Sequence, residues 1–492
     1  MNISKEDILK SISYIKTVND TAVDVLVSIT NIYTDSREVA ANSIFIALKG
    51  DLYDAHQFID QAILKGAVII ICTELPIKLH KDILYISVSD SKRALNNLIT
   101  AFYSQEIEKI KIIGITGTNG KTTTSTLLYQ LFSQLGYKVG LISTIDIKIN
   151  NESYPTKNTT PDILSLNKFL YKMVQQGCKY SFMEVSSHAL IQERVKNIDF
   201  YIAALTNITH DHLDYHKTFN NYIKAKKILF DNLTAKSIAL VNKDDKHSTV
   251  MLQNTKADKK TYAIKNMADF KASITEKSLS GMQLCIDNQD IWVKLTGMHN
   301  AYNILLVYAI ATLIGIDKHR LLTHISKLDP IKGRFEMNYL ANGVITVIDY
   351  AHTPDGVKNI LESINNTKQK DQQIITVIGA GGDRDAEKRP IMANEAYQLS
   401  NYLVLTSDNP RNEDPQKIIN DMKKTFSANN NKNFEEIIDR KQAIIRALSI
   451  AKEGDIVVIL GKGHEQYIDI KGQRINFSEQ DIIKEFNNTI NT

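Results

Sequence analysis

Gly114-Ile-Thr-Gly-Thr-Asn-Gly-Lys-Thr-Thr-Thr124 is a glycine-rich segment that follows an apolar run and precedes an amphipathic stretch with leucines at 127, 128, 131 and 135. This order is typical of a phosphate-binding loop. The glycines let backbone N–H groups face phosphate oxygens, and the helix N-terminus adds positive potential. Lys121 offers a charge and Thr122 a hydroxyl for Mg²⁺. We therefore predict a nucleoside triphosphate site at Gly117, Thr118, Asn119, Gly120, Lys121, Thr122 and Thr123.

The start of this loop departs from the general G-x4-G-K-[ST] spacing. Ile115 occupies the place of the first glycine, and the glycines stand at 114, 117 and 120. We expect the shape of the loop to differ there. The loop indicates that a nucleotide is bound, but it does not show what becomes of the phosphate.

The composition is that of a globular protein without a strong charge bias. The 492 residues contain 59 Lys+Arg and 55 Asp+Glu, a formal net charge of +4. Such a balance favours neither nucleic acid nor an anionic membrane as a partner. Charged residues interrupt the amino terminus, and the apolar run at 67–72 is too short to span a membrane, so we predict a cytosolic protein. We also expect a monomer. The three cysteines are widely spaced and predict neither a disulfide framework nor a zinc site.

The length predicts about three domains at roughly 150 residues each. Residues 1–105 form a small α/β block with strands at 43–48 and 67–72. In residues 106–330, short β-branched runs alternate with helix-length segments, which predicts a mostly parallel sheet with an added hairpin at 283–295. In residues 331–492 four predicted strands, at 344–348, 374–378, 402–405 and 455–460, end in polar or glycine-rich loops, which indicates a third domain with its own ligand edge.

Two further segments carry groups that bear on catalysis. Glu184 ends an apolar run from which a carboxylate can face Mg²⁺, and residues 207–216 contain three histidines and two aspartates. Carboxylates favour Mg²⁺ and histidines favour zinc, so composition alone leaves the metal open. Residues 222–230 predict a helix with Ala225, Ile228 and Leu229 inward. By spacing alone, its lysines belong to a solvated face.

Together with Tyr222-Ile-Lys-Ala-Lys226, these motifs resemble those of the Mur ligases, the ATP-dependent amide-forming enzymes of peptidoglycan assembly. The resemblance runs through all three blocks. It implies a uridine-nucleotide domain, a P-loop ATPase domain and a Rossmann-like amino-acid domain, with Mg²⁺ as cofactor and ATP as substrate. The motifs look most like those of members that add meso-diaminopimelate to a UDP-N-acetylmuramoyl dipeptide through an acyl phosphate.

The resemblance also implies roles for individual residues. For the uridine-linked peptide it implicates Thr34, Ser36, Asp51, Leu52, Tyr53, Asn158, Thr159, Thr160, Ser186, Gln192 and Arg194. It adds Asn300, Arg334 and Asp349 to the ATP site. As metal ligands it implies Thr122, Glu184, His212 and Lys226, the lysine as a carbamate. His210 stands where the family often has Arg or Ser, and its role stays open.

For the amino acid the resemblance implies Arg389, Asp408, Asn409, Pro410, Arg411, Gly461 and Glu465. Diaminopimelate carries a carboxylate that lysine lacks, and a guanidinium can pair with it in bidentate fashion. Arg411 is therefore the predicted discriminator, and Glu465 is an acceptor for the distal ammonium. The alternatives are a lysine-adding muramyl ligase, a folylpolyglutamate synthetase, which lacks a first block like 1–105, and a nucleotide-switched binding protein.

Overall fold

The computed structural model describes residues 4–23, 29–50, 53–426 and 433–490. Backbone proximity divides the chain into two compact units. The first comprises Met1–Lys111, Thr160–Ser181 and Gln192–Asp199, and the second comprises Ile112–Thr159, Phe182–Ile191 and Phe200–Thr492. The first unit thus includes residues 160–181, which the sequence-based bounds put in the middle block. Those bounds stay predictions.

The strands of the described residues are, in chain order, β1 (Lys16–Val18), β2 (Asn31–Tyr33), β3 (Ser43–Ile46), β4 (Ala67–Cys72), β5 (Leu84–Ser87), β6 (Lys111–Thr116), β7 (Val139–Ile142), β8 (Ile147–Ile149), β9 (Glu152–Tyr154), β10 (Tyr180–Glu184), β11 (Phe200–Leu205), β12 (Ile238–Asn242), β13 (Asp258–Ala263), β14 (Phe270–Ser278), β15 (Gly281–Ile286), β16 (Gln289–Val293), β17 (Glu336–Tyr339), β18 (Ile345–Asp349), β19 (Ile374–Ala380), β20 (Tyr402–Ser407), β21 (Asn433–Glu436), β22 (Ile456–Leu460), β23 (Tyr467–Ile470) and β24 (Gln473–Asn476).

The α-helices are α1 (Lys5–Ser11), α2 (Ile59–Leu64), α3 (Ser91–Ile99), α4 (Gln105–Ile107), α5 (Lys121–Gln134), α6 (Ile163–Gln175), α7 (Ser187–Ile191), α8 (Leu213–His216), α9 (Phe219–Asp231), α10 (Ser248–Met251), α11 (Met298–Ile314), α12 (Lys318–Ile325), α13 (Pro354–Asn365), α14 (Lys388–Leu399), α15 (Pro415–Met422), α16 (Arg440–Ile450) and α17 (Glu479–Ile490). Within the described ranges, no helix has the length and apolar character that crossing a membrane requires.

The first unit is built on a five-stranded sheet of order β1-β5-β4-β3-β2. β1 pairs antiparallel with β5, and the other neighbours are parallel. Its core includes Phe45, Ile70 and Tyr85, which are fully buried. Parallel strands are covered on both faces, which is why β3 and β5 carry long apolar side chains at successive positions.

The middle sheet has eleven strands in the order β16-β15-β14-β13-β12-β11-β6-β10-β7-β8-β9. β11 is parallel to β6 and to β12, so the segments that follow β6 and β11 leave the sheet at the same edge. That edge is where open α/β sheets bind ligands. The predicted hairpin is confirmed as β15 and β16, and β14 extends it into an antiparallel addition.

The third sheet has the order β17-β18-β22-β19-β20-β21. β17 is antiparallel to β18, and the other neighbouring strands of this sheet are parallel to each other. β18, β19 and β22 are buried along their whole length. The four strands predicted for residues 331–492 are confirmed as β18, β19, β20 and β22. Beside this sheet, β23 and β24 form a separate antiparallel hairpin that the sequence did not predict. Together, the sheets make a three-domain α/β architecture.

Candidate active site

The phosphate loop joins β6 to α5, as its sequence predicts. Gly117 has φ +145°, and a Cβ there would lie 1.9 Å from Oγ1 of Thr206. Gly120 has φ +88°, and a Cβ there would lie 2.6 Å from Oδ1 of Asn303. Both positions therefore require glycine, because the backbone is left-handed and no side chain fits.

The loop is held by the segment after β11. The Thr118 amide donates to the Asn207 carbonyl at 2.8 Å, and the Asn119 amide donates to Asn207 Oδ1 at 3.0 Å. In return, Oγ1 of Thr206 donates to the Asn119 carbonyl at 2.6 Å. These bonds fix the loop before any ligand binds.

The side chain of Lys121 folds back onto the phosphate loop. Its Nζ donates to the Thr118 carbonyl at 2.8 Å and to the Gly117 carbonyl at 3.0 Å. Burial lowers the pKa of Lys121, while Glu184 and Asp211 oppose that shift. A phosphate is a stronger partner for an ammonium than a carbonyl is, so we expect Lys121 to exchange these carbonyls for phosphate oxygens.

Lys226 lies in the interior, although the spacing of α9 predicts a solvated position. Only 1% of Lys226 is exposed, whereas Lys224 on the same helix is exposed as predicted. Its Nζ donates to the Gly117 carbonyl at 2.7 Å and lies 4.5 Å from the Tyr222 ring centre. Burial, reinforced by Lys121, lowers its pKa well below the usual value, which favours an uncharged amine.

A cavity of about 450 Å³ opens in front of the loop. Of the residues predicted for ATP, it is lined by Thr118, Asn119, Gly120, Lys121, Thr122, Thr123, Asn300, Arg334 and Asp349. Thr159, Glu184 and His212 also line it, but Lys226 does not. The structure therefore brings most of the predicted nucleotide residues to one concave site.

Glu184, at the end of β10, is oriented by Thr144. Its Oε1 accepts from the Thr144 amide at 2.7 Å, and its Oε2 accepts from Oγ1 of Thr144 at 3.1 Å. Oγ1 of Thr144 also lies at hydrogen-bond distance, 3.1 Å, from Oγ1 of Thr159. A residue predicted for the peptide substrate is thus linked through Thr144 to a predicted metal ligand.

His212 and Asp211 form the centre of the histidine-rich segment. Burial lowers the pKa of His212 to about 3, so its imidazole is uncharged at neutral pH. Burial alone would raise the pKa of Asp211, but Lys388 and the nearby histidines outweigh it and hold that pKa low. Nζ of Lys388 donates to Oδ1 of Asp211 at 3.2 Å.

Residues of the third sheet's domain also reach the phosphate loop. Nη2 of Arg334 donates to Oγ1 of Thr122 at 3.2 Å, and the Arg334 guanidinium lies 4.4 Å from the Tyr350 ring centre. The side-chain amide of Asn119 donates to Asp355 at 3.2 Å. Nε2 of His210 lies 2.9 Å from Oδ2 of Asp385, which gives this unusual histidine a partner.

Asp349 and Asn300 line the cavity through different kinds of contact. Asp349 accepts the amides of Phe335 and Ala351, each at 2.7 Å, and burial raises its pKa. The side-chain amide of Asn300 donates to the Thr296 carbonyl at 2.9 Å, and its Oδ1 accepts from Asn303. Asn300 is thus oriented at the start of α11.

A second cavity, of about 140 Å³, lies at the carboxyl edge of the third sheet. Six residues predicted for diaminopimelate line it: Arg389, Asp408, Asn409, Arg411, Gly461 and Glu465. It shares four lining residues with the larger cavity: His212, Tyr350, His352 and Arg384. The two cavities therefore meet at a common wall.

The two arginines of this smaller cavity differ in how they are held. Arg389 is buried, and its guanidinium donates to Glu413 at 2.6 Å and to Asp421 at 2.9 Å. Arg411 is half-buried with φ +50°, and its Nη1 donates to the Gly382 carbonyl at 2.6 Å. A carboxylate ligand competes more readily with a carbonyl than with two carboxylates, which favours Arg411 as the ligand-binding group.

Three family models match the chain. The family model described as Mur ligase family, catalytic domain, matches residues 28–108, that of the Mur ligase middle domain matches 115–311, and that of the Mur ligase, glutamate ligase domain, matches 333–463. The chain belongs to the Mur ligase family. Its relatives include a Cytophaga hutchinsonii protein named UDP-N-acetylmuramoyl-L-alanyl-D-glutamate--2,6-diaminopimelate ligase, which is 47% identical over 99% of each chain. A Bacteroides fragilis protein of the same name is 44% identical over 98% of each.

Solved structures of Mur ligases share the fold. One, a UDP-N-acetylmuramoyl-L-alanyl-D-glutamate--2,6-diaminopimelate ligase, is 31% identical with a TM-score of 0.66 over 100% of both chains. MurF from Acinetobacter baumannii is 16% identical with a TM-score of 0.73 over 99% of both. A Mycobacterium tuberculosis folylpolyglutamate synthase has a TM-score of 0.60 at 16% identity and covers 74% of this chain. The last two likenesses concern the fold alone.

The residues that this Mur ligase is predicted to use for the uridine nucleotide belong to the first unit, where Thr34 and Ser36 follow β2 and Tyr53 follows β3. Oγ of Ser36 donates to Gln61 at 2.8 Å, and Thr34 is half-buried. Tyr53 is 73% exposed, and Asp51 and Leu52 lie outside the described residues. These assignments stay predictions.

The residues predicted for the muramoyl dipeptide are divided between the units. Asn158, Thr159 and Ser186 belong to the second unit, and Thr160, Gln192 and Arg194 belong to the first. In the first unit, Nη1 of Arg194 donates to the Thr160 carbonyl at 2.8 Å and its Nε donates to Gln192 at 2.9 Å. Ser186 accepts the Ala189 amide at the start of α7. Their ligand roles stay predictions.

Sequence reasoning missed several groups that the structure places at or beside the cavities. Asp211, His352 and Lys388 line the cavities, and Lys462 is a fully buried lysine beside the smaller cavity. In the first unit, Nζ of Lys168 donates to the Ile32 carbonyl at 2.6 Å and lies 4.4 Å from the Tyr33 ring centre. Lys462 lies in the loop after β22, but its neighbours in space were not deducible from the sequence.

A metal ion fits the larger cavity in part. In the portion of the chain that the structure describes, no three His, Cys, Asp or Glu side chains gather into a metal site. Thr122 and Glu184 nevertheless present hard oxygen donors to one cavity, and the uncharged His212 beside them does not repel a cation. This donor set suits Mg²⁺ better than zinc, and a further carboxylate would strengthen it.

Proposed function

We propose that this Mur ligase uses ATP to join meso-diaminopimelate to UDP-N-acetylmuramoyl-L-alanyl-D-glutamate. The observation that carries the proposal is the shared wall of the two cavities. One cavity has a phosphate loop, and the other has Arg411 and Glu465 for an amino acid with charges at its far end. The names of relatives 43 to 47% identical over nearly the whole chain support it.

The proposed chemistry proceeds in two steps. An oxygen of the D-glutamyl γ-carboxylate attacks the γ-phosphorus of ATP, and ADP leaves, which forms an acyl phosphate. The unprotonated amine of diaminopimelate then attacks the carbonyl carbon, and the tetrahedral intermediate expels orthophosphate as the amine loses its proton. The reaction needs no nucleophilic side chain, so the protein contributes position and electrostatic stabilisation.

Three groups of the larger cavity suit the first step. Lys121 neutralises charge on the transferred phosphoryl group after it leaves its loop carbonyls. Arg334 contacts Thr122 and brings a second cation to the loop from the third sheet's domain. Asn119 and Asp355 bond across the same opening, which restricts the access of water to an acyl phosphate.

Thr122, Glu184, His212 and carbamylated Lys226 would hold Mg²⁺ in this proposal. The ion would neutralise charge on the phosphate oxygens. Carbamylation requires an uncharged amine to attack CO₂, and the burial of Lys226 favours that form of its amine. The modification would replace a buried amine by a carboxylate next to Lys121.

The smaller cavity suits an amino acid whose side chain ends in an ammonium and a carboxylate. Arg411 pairs with the distal carboxylate, and Glu465 accepts the distal ammonium. Lysine has the ammonium alone and would leave Arg411 without its anion. The smaller cavity therefore favours a diaminopimelate-adding enzyme over a lysine-adding enzyme and over a folylpolyglutamate synthetase. A nucleotide-switched binding protein would need no pocket for an amino acid. The cytosolic location and monomeric state stay predictions from the sequence.

Phosphate release tests the proposal and the role of Arg411 together. With the uridine-linked dipeptide and ATP, we expect release to depend on diaminopimelate and to be much weaker with lysine. In Arg411→Ala, kcat/KM for diaminopimelate should fall about 10- to 100-fold, because a bidentate charged pair is lost, while that for lysine changes little. Equal losses of kcat/KM for both amino acids would contradict the discriminating role of Arg411. Phosphate release that does not depend on the amino acid would contradict the proposed ligase activity.

A further inference from the structure

Lys462 is a lysine with no exposed side-chain surface in the loop that follows β22. Its position does not line either cavity. A lysine is rarely buried completely unless its charge is paired. The proposed function uses Glu465 in the same loop but gives Lys462 no part, so the partners of Lys462 indicate what it does.

The partners of Lys462 are residues of the smaller cavity. Its Nζ donates to Oδ1 of Asn409 and to Oε2 of Glu465, both at 3.0 Å, and lies 3.8 Å from Oδ1 of Asp408. Asn409, Glu465 and Asp408 all line that cavity. Lys462 therefore supports its wall from the buried side.

These bonds fix the orientation of Asn409. Its Oδ1 accepts from Lys462 and from the Asp469 amide at 2.9 Å, and its Nδ2 donates to Oε2 of Glu465 at 2.9 Å. An amide rotated by 180° would place its NH₂ group against two donors. The Asp469 bond also ties the first strand of the β23–β24 hairpin to the pocket.

The same bonds give the two carboxylate oxygens of Glu465 different hydrogen-bond partners. Oε2 accepts both Lys462 and Asn409, whereas Oε1 receives a longer bond of 3.4 Å from the Tyr350 hydroxyl. Oε1 is therefore the oxygen better able to accept a ligand ammonium. Lys462 also balances the negative charges of Asp408 and Glu465, which lie 3.8 and 3.0 Å from its Nζ.

The charge of Asp408 is consistent with this role. Burial would raise the pKa of Asp408, but Lys462, followed by Arg440 and Arg411, outweighs burial and keeps the pKa below its usual value. Without Lys462, two neighbouring carboxylates would share a buried site with less compensating charge. The pocket would then lose both its geometry and its charge balance.

We propose that Lys462 is the positioning residue of the amino-acid pocket, holding Asn409 and Glu465 so that Oε1 of Glu465 accepts the distal ammonium of the incoming amino acid. This inference rests on the proposed function, since it concerns the amino acid that the ligase takes. Lys462 acts through Glu465 and does not touch the substrate. Its removal should therefore weaken amino-acid binding and leave ATP binding unchanged.

The test measures phosphate release by Lys462→Met, Glu465→Gln, the double variant and a control, Lys441→Met. Lys441 is half-exposed on α16 and pairs with Glu485 at 3.0 Å. All assays run below the melting transition of the least stable variant. In Lys462→Met, KM for diaminopimelate should rise about 10- to 100-fold, as expected from losing a buried charged hydrogen bond, with KM for ATP within about twofold. Lys441→Met should match the unmodified protein.

The double variant distinguishes positioning from a general loss of stability. If Lys462 acts through Glu465, the double variant should be within about threefold of Glu465→Gln alone in KM for diaminopimelate. The inference would be overturned if the rise in KM for diaminopimelate in the double variant equalled the product of the two single rises. An unchanged KM for diaminopimelate in Lys462→Met, or an equal rise in its KM for ATP, would also overturn it. Failure of the unmodified protein to release phosphate with diaminopimelate would instead contradict the proposed function.

Discussion

The Lys121→Ala variant is expected to lose phosphate release by at least about 1,000-fold when ATP, the uridine-linked dipeptide and diaminopimelate are all present. Lys121 begins α5 at the end of the phosphate loop, and its ammonium already lies against the carbonyls of Gly117 and Thr118. Alanine leaves the developing charge on the transferred phosphoryl group without this cation. The measurement is the steady-state rate of phosphate release.

A matched control for this variant is Lys138→Ala. Lys138 is exposed immediately before β7 and contributes nothing to the cavity. Its replacement should leave the rate unchanged, which excludes a general effect of removing a lysine from this domain. Substantial turnover by Lys121→Ala, with a melting temperature like that of the unmodified protein, would count against the phosphate-loop assignment.

The Lys226→Ala variant is also expected to be nearly inactive, with a loss of at least about 100-fold, but its activity should return in part with small carboxylic acids. The reason is the carbamate: alanine removes the carboxylate that we propose for the Mg²⁺ site, and a free carboxylate can enter the space left by the side chain. The measurement is phosphate release with and without the added acid.

Lys224→Ala is the control on the same helix, because Lys224 is exposed where Lys226 is buried. It should keep full activity and show no response to the acids. The mass of the intact protein provides an independent readout, since a carbamate adds CO₂ at one lysine and the addition should be absent from Lys226→Ala. Full activity of Lys226→Ala, or a loss that no acid restores, would remove the carbamate from the account.

Much of the fold was predictable because buried parallel strands have continuous apolar sequences. Residues 374–378 and 455–460 predicted β19 and β22, and both are buried along their length. The β23–β24 hairpin was missed because β24 is wholly exposed and carries no apolar alternation. The short strands β1, β8 and β9 have three residues each, too few for a period to show.

The site was predictable where a motif occupies one continuous segment and less so where distant segments meet. The glycines of the phosphate loop follow from local backbone requirements, and Gly117 and Gly120 have the expected left-handed conformation. The burial of Lys226 was not predictable from the spacing of α9, because the helix packs its lysine toward the carbonyl of Gly117, more than 100 residues earlier in the chain. The support that Lys462 gives to Asn409 likewise depends on tertiary contacts.

The acyl phosphate is the central intermediate of the proposed reaction, and the fate of a carboxyl oxygen shows whether it forms. The uridine-linked dipeptide would be prepared with ¹⁸O in the D-glutamyl γ-carboxylate and converted with ATP and diaminopimelate. The account predicts that one ¹⁸O atom appears in the orthophosphate for each amide formed, because the attacking carboxylate oxygen leaves with the phosphoryl group. Orthophosphate without ¹⁸O, in a reaction that still forms the amide, would contradict it.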